Sequence, residues 1–239
     1  MKMQYLNTNI SLLALLLVGM TQMVIAQDTT RVKYSDGSLQ CIEVRNSEGK
    51  PVGEWRYYYS DGSLNVIEKY RNHKVHGKRV EFYTNGQLKA EEQWDNGIRQ
   101  DSAYYYHENG KLKRKGYIRD DLYEGEWRFY RDDGSLERVG HYKNDTPHGE
   151  WKFYYPSGKV EYKGAYDQGE KKGQWVGYFE NGKQAYQGFY VDGKKSGKWV
   201  FWDNKGRRVE EGHFNEGKET GTWKYYDTRG KVQRTEDFK

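Results

Sequence analysis

The chain has 239 residues, a formal net charge of +5, and an aromatic-rich composition with 23 Tyr, 8 Trp, 8 Phe and 28 Gly against only 3 Pro. The charge is mild and both signs are mixed along the chain, unlike the clustered basic face of a nucleic-acid binder. Disordered chains lack such an aromatic load, and a single cysteine, Cys41, excludes an internal disulfide.

Residues 1–26 read as a Sec-type signal peptide. Lys2 supplies the positive start, "SLLALLLVG" (11–19) the apolar run, and Val24 and Ala26 the small or aliphatic residues of a cleavage site. The run is shorter than the roughly 20 apolar residues of a spanning helix. No cysteine follows it directly, which argues against a lipoprotein. The expected product is exported, to the periplasm, the cell surface or the medium of a bacterium. Residues 27–49 read as a degenerate N-terminal cap hairpin, because "YSDGSL" (34–39) echoes "YSDGSL" (59–64) at a displacement of 25.

From residue 50 to 239 the chain repeats every 24 residues, in eight units. With glycine as position 0, the units start at Gly53, Gly77, Asp101, Gly125, Gly149, Gly173, Gly197 and Gly221. Position +2 is Trp55, Trp127, Trp151, Trp175, Trp199 and Trp223, with Arg79 and Ala103 as exceptions. Position +5 is always aromatic, from Tyr58 to Tyr226, and +17 is aromatic in all units but one (Ile118). Position +9 is always glycine: Gly62, Gly86, Gly110, Gly134, Gly158, Gly182, Gly206 and Gly230. Aromatics between glycine-bearing turns favour strands.

Asp61-Gly62, Asn85-Gly86 and their equivalents at +8/+9 are strong hairpin signals of the type I′ kind. A second turn signal stands at +19/+20, as in Asn96-Gly97 and Asp192-Gly193. The expected fold is therefore all-β: an elongated, twisted antiparallel meander of tandem hairpins with about sixteen strands. A two-residue loop at +8/+9 sets +2 opposite +15, which is Gly116, Gly140, Gly164, Gly188 or Gly212 in five units. A three-residue loop with a bulge would instead set +2 opposite +14. In the first register one face collects +2, +4, +11 and +17 (Trp151, Phe153, Val160 and Tyr166 in unit five), and the other is charged apart from the +5 ring. One unit buries too little apolar surface to stand alone, so neighbours must stack as in other linear arrays.

The phrases "HGEWKFYYPSGKVEYKGAYDQGEKKG" (148–173) and "SGKWVFWDNKG" (196–206) resemble the MORN repeat in its bacterial 24-residue variant, similar to the antitoxin-type family labelled YwqK. The resemblance implies a β ribbon used for protein or lipid contact, without catalysis. Arg79, Asp101 and Ala103 depart from its pattern, which marks units two and three as distorted or specialised.

The chemistry-bearing residues point the same way. His73, His76, His107, His141, His148 and His213 form no metal-ligand or nucleophile motif, and the glycines recur with turns rather than in a phosphate-cradling loop. No enzyme activity, metal or cofactor is expected. The candidate binding residues are the aromatics Trp127, Trp151, Tyr166, Trp175, Tyr190 and Trp199, since large exposed apolar patches mark binding sites; the glycines at +9 are assigned to turns. The functional expectation is a non-catalytic exported module that binds another protein or itself. The alternatives are an immunity-like protein that neutralises a toxin and a cell-wall glycan binder; contact with a membrane surface ranks below these, and nucleic acid is not expected.

Overall fold

The computed structural model describes residues 27–239, so the signal-peptide reading of 1–26 lies outside the described residues. All regular structure in them is β: nineteen antiparallel strands in one sheet. The strands pair in sequence order, from Gln27–Lys33 at one edge to Val232–Phe238 at the other, except that Lys74–Val75 and Gly77–Phe82 both pair with Leu64–Arg71 and not with each other. The first hairpin, Gln27–Lys33 with Leu39–Asn46, precedes the eight units. The strand count exceeds sixteen through these two strands and through a break at His76 that splits one strand into Lys74–Val75 and Gly77–Phe82.

The type I′ turn expected at +8/+9 is not there; it stands at +19/+20. At +8/+9 only the glycine has positive φ (80–89° for Gly62, Gly86, Gly110, Gly134, Gly158, Gly182, Gly206 and Gly230), so this is not a type I′ turn. Instead the Gly158 N–H donates to the Tyr155 carbonyl and the Tyr155 N–H to the Lys159 carbonyl, both at 2.9 Å, which closes a three-residue loop with the glycine as its left-handed member. Asn or Asp is used at +8 because its side chain caps the turn: Asn109 Oδ1 accepts from the Lys111 N–H at 3.0 Å and Asp133 Oδ1 from the Ser135 N–H at 2.7 Å. The type I′ turn sits at +19/+20, where both residues have positive φ, as in Asn96 (50°) with Gly97 (85°) and even Asn144 (48°) with Asp145 (63°).

A three-residue loop alone would shift the pairing by one. The structure restores it with a bulge: Tyr154 pairs with Val160, but Phe153 pairs with Tyr162, so Glu161 is passed over. The outcome is the expected register by a different route, with Trp127 opposite Gly140, Trp151 opposite Gly164, Trp175 opposite Gly188 and Trp199 opposite Gly212. The bulge also corrects the face assignment of +11. Val160 joins Lys152, Tyr154 and Lys163 on the charged face, not Trp151 on the aromatic one. Position +13 takes its place on the aromatic face, where Tyr162 stacks on Phe153 with centroids 4.3 Å apart.

A second irregularity recurs at position 0. Between adjacent units Gly140 pairs with Trp151 but His141 pairs with His148, so Gly149 and Glu150 bulge out, with Gly149 at φ 68°. Asp101 fills the same left-handed slot at φ 68°, and its Oδ1 accepts from the Ser102 N–H at 2.6 Å; a carboxylate that bonds its local backbone is one of the few side chains that tolerates this conformation.

The indoles form the core. Trp127 and Trp175 are 0% exposed, Trp199 1%, Trp223 2%, Trp151 3% and Trp55 5%. Because each unit leans on both neighbours, removing a central ring should cost more than removing a terminal one. Trp175→Ala is expected to lose about 3–5 kcal/mol, in the range of large buried aromatics, and Trp223→Ala measurably less, read as denaturation midpoints by circular dichroism; equal losses would refute the stacked array.

Candidate binding surface

Five tryptophan rings, those of Trp127, Trp151, Trp175, Trp199 and Trp223, lie on a glycine of the preceding unit, 11 residues earlier, rather than on the residue they pair with in their own hairpin. A Cβ placed on Gly116, Gly140, Gly164, Gly188 or Gly212 would fall 2.0–2.2 Å from the ring of Trp127, Trp151, Trp175, Trp199 or Trp223 respectively, a distance that no side chain can occupy. The indole Nε1–H then donates to the next carbonyl of that unit: Trp127 to Tyr117 at 3.0 Å, Trp151 to His141, Trp175 to Ala165 and Trp199 to Phe189 at 3.2 Å. A buried indole with its one polar atom satisfied is a packing element.

This places the candidate residues in two groups. Trp127, Trp151, Trp175 and Trp199 are covered, whereas Tyr166 and Tyr190 are half-buried and stand edge-on between consecutive indoles. Tyr166 lies 5.7 Å from Trp151 and 5.3 Å from Trp175, and Tyr190 lies 5.8 Å from Trp175 and 5.3 Å from Trp199. Burial pushes both phenols above their ordinary pKa. Residues at position −2, which the repeat pattern did not single out, cap the indoles: Tyr123 stacks on Trp127 at 3.7 Å, and the ammonium groups of Lys171 and Lys195 sit 4.3 and 4.5 Å from the ring centres of Trp175 and Trp199. Burial, the larger cause, and the neighbouring Lys195 hold the Lys171 pKa below the usual range.

The opposite face carries the +5 rings among charges of both signs. Tyr154, Val160 and Tyr178 with Lys152, Lys159 and Lys163 line a shallow cleft of about 450 Å³. Both rims of the sheet are laced between units. At one rim the +6 side chain crosses to the next unit's +5 carbonyl: Tyr59 to Phe82 at 2.9 Å, Tyr83 to Tyr106 at 2.8 Å and Tyr155 to Tyr178 at 2.9 Å. At the other, the turn residue at +20 donates back to −2, as Gly169 does to Pro147 at 3.0 Å.

Units one to three replace the indole-on-glycine contact by polar ones. Where Gly is Glu68 at +15, the following +2 residue is Arg79, and Arg79 Nε meets Glu68 Oε2 at 3.2 Å. Glu68 also accepts from the hydroxyls of Tyr57 at 3.0 Å and Tyr70 at 2.8 Å. Where Gly is Glu92, the following residue is the small Ala103, and the Glu92 carboxylate fills the space under the Tyr105 hydroxyl at 2.6 Å, with Arg79 and Arg99 each 3.6 Å away. Burial, with Glu92 beside it, pushes the Tyr105 hydroxyl well above its ordinary pKa. Glu68 and Glu92 are 8% and 6% exposed, so every lone pair needs such partners. The signal for this cluster was present in the sequence as paired departures at +15 and the next +2.

Taken together, these contacts define a tandem β-hairpin repeat protein whose units are joined by aromatic rings on bare backbone. The MORN repeat variant pattern matches residues 51–72, 75–96, 102–120, 123–144, 147–168 and 219–239, more than half of the chain, and the chain belongs to that family. Units six and seven fall outside the matched segments yet carry the same indole contacts through Trp175 and Trp199. Among curated proteins no relative matches. Among solved structures the chain is similar to part of TcdB2–TccC3–TEV, with 14% identity over 87% of this chain and 14% of that one and a TM-score of 0.24. It is also similar to part of the Tc holotoxin pore of Photorhabdus luminescens, with the same identity and coverage and a TM-score of 0.22. The chain thus spans about 14% of the length of these structures' chains.

Two outcomes test this account. Arg79→Trp alone should destabilise the protein, because an indole would land on Glu68; adding Glu68→Gly should recover part of the loss, and a double-mutant cycle with no coupling would refute the pairing. The half-buried phenols also set an alkaline limit. Burial, with nearby phenols adding to it, raises Tyr186 from near 10 to about 12. Burial, with Glu91 adding to it, does the same for Tyr106. A raised folded-state value means that their contribution is complete below pH 10 and is lost as the pH climbs from 10 towards 12. Phenolate absorbance should therefore lag behind that of free tyrosine and rise together with the loss of the β signal.

Proposed function

We propose that the protein is an exported, non-catalytic binding module that engages another protein across the open faces of its sheet. The observation that carries this reading is how the aromatic rings are used. The +2 indoles are sealed inside, while a regular set of half-buried tyrosines, with Trp94 and Trp202, remains at both faces among interspersed lysines, arginines and carboxylates. Tyrosine-rich surfaces with adaptable charge are the composition of protein interfaces. A glycan reading needs a regular row of open tryptophan faces for sugars to stack on; Trp127, Trp151, Trp175 and Trp199 offer none, being at most 3% exposed, and Trp94 and Trp202 are half-buried and stand at different repeat positions. The scaffold supports recognition rather than chemistry, since its polar residues pair among themselves along the sheet. Export rests on the reading of residues 1–26.

A photo-crosslinking residue at Tyr178 on the charged face and at Tyr190 on the aromatic face, in cells expressing the full chain, tests the proposal. The expected result is a discrete crosslinked protein from at least one position, recovered outside the cytoplasm. A chain that stays monomeric by light scattering and captures nothing at either position overturns it.

A further inference from the structure

On the aromatic face a second row runs beside the indoles. Tyr142, Tyr166, Tyr190 and Phe214, at +17 of units four to seven, recur at two-strand intervals, each cross-strand neighbour to a −2 residue: Pro147, Lys171, Lys195 and Glu219 in turn. The rings stand upright against the indoles, at interplanar angles of 82° for Tyr142 on Trp151, 89° for Tyr166 on Trp175, 83° for Tyr190 on Trp199 and 87° for Phe214 on Trp223. The half-buried Tyr142, Tyr166 and Tyr190 make ridges, with the −2 residues as the floors beside them, while Phe214 is covered and closes the row from below.

Two of the floors are cations that form no ion pair. The adjacent Lys172 pairs with Asp167 at 2.6 Å and Lys194 reaches Glu216 at 4.0 Å, whereas Lys171 and Lys195 lie over rings and form no ion pair among the described residues; Glu210 and Glu219 act on Lys195 from beyond contact, and Lys171 has no carboxylate acting on it. Lys171 Nζ is 5.1 Å from the Tyr190 ring and Lys195 Nζ 4.7 Å from that of Phe214, so each ammonium sits at the foot of a ring of the row. The next slot carries the opposite charge, since Glu219 follows Phe214 and lies near Glu210, whose carboxyl burial and Glu219 together raise.

The spacing selects the shape of the occupant. Two strands span about 9.5 Å across a sheet. A polyproline II helix presents every third residue on one side, about 9.3 Å apart at 3.1 Å per residue. An extended strand repeats a side about every 6.7 Å and an α-helix turns every 5.4 Å, so neither keeps step with the ridges. Aromatic ridges are also the surface that grips polyproline II segments elsewhere.

We propose that this row binds a polyproline II segment of the partner protein, its ring-contacting residues seated against the ridges of Tyr142, Tyr166 and Tyr190 and an acidic side chain at every third position over Lys171 and Lys195. Glu219 sets the register by rejecting a third acid and accepting a basic residue in its place. The inference rests on the protein-binding reading and names the partner's chemistry.

Fluorescence anisotropy with labelled peptides and the full exported chain tests it, using repeated Pro-Pro-Glu, repeated Pro-Pro-Lys and a flexible Gly-Ser-Glu repeat of equal charge. Pro-Pro-Glu should bind, Pro-Pro-Lys should not, and Gly-Ser-Glu should bind at least about tenfold more weakly. Lys171→Met with Lys195→Met, which keeps the apolar stems, should weaken Pro-Pro-Glu at least about tenfold with an unchanged β spectrum. Equal binding of the two acidic peptides, no binding of either, or insensitivity to the double variant overturns the proposal. So does binding of polygalacturonate at these lysines in place of the peptide. A partner crosslinked at Tyr178 together with no Pro-Pro-Glu binding leaves the protein-binding reading standing and overturns this one alone.

Discussion

Everything in this sheet depends on a flat ring seated on backbone that has no side chain. A single-layer sheet has no opposing layer to bury its apolar face, so the contact that closes the core must come from within the same face. An indole laid over a glycine of the unit before it, with its nitrogen bonded to the following carbonyl, provides that closure at every junction where both residues occur. It joins successive units by burial and by a directional hydrogen bond at once, and the upright +17 rings then fill the gaps between indoles.

The requirement for glycine belongs to the junction, not to the hairpin. Trp55 and Trp223 pair in register with Glu68 and Glu236 inside their own hairpins and are still buried, so an indole tolerates a long side chain opposite it. At the five junctions with glycine at +15 the ring leaves no room for a side chain beneath it, and each of those glycines is followed 11 residues later by tryptophan. Where Arg79 or Ala103 stands instead, the space beneath is filled by Glu68 or Glu92, and the rings nearby become hydroxyl donors to the carboxylates. One end of the sheet is therefore held by polar contacts and the rest by apolar ones, with the same backbone path.

The period, the fold class and the in-register neighbour of each +2 tryptophan were legible in the sequence because a 24-residue interval without insertions leaves little freedom, but the glycine that the ring covers belongs to the preceding unit and was not. The turn types were not. Asn-Gly and Asp-Gly serve both a type I′ turn and a side-chain cap before a left-handed glycine, and the dipeptide alone does not separate them; Gln168-Gly169 and Asn144-Asp145 adopt the type I′ conformation without the usual signature because the flanking strands impose it. The bulge at Glu161, which moves Val160 to the other face, follows from that turn and was hidden with it. The candidate aromatics were recognisable as a set, but a repeat pattern cannot say which of its rings are covered. The positions of Trp151 and Tyr166 are both aromatic in most units, and the −2 residues, which vary from Tyr123 to Pro147 to Lys171, decide what reaches the surface.

The pairing of strands in sequence order leaves the two outermost strands unjoined, so no closure condition fixes how many units the ribbon holds. A barrel or propeller must keep its count to stay shut; here reach is a free variable, and duplicating or excising one 24-residue module in frame would lengthen or shorten the surface by about 9.5 Å while every surviving junction kept its geometry.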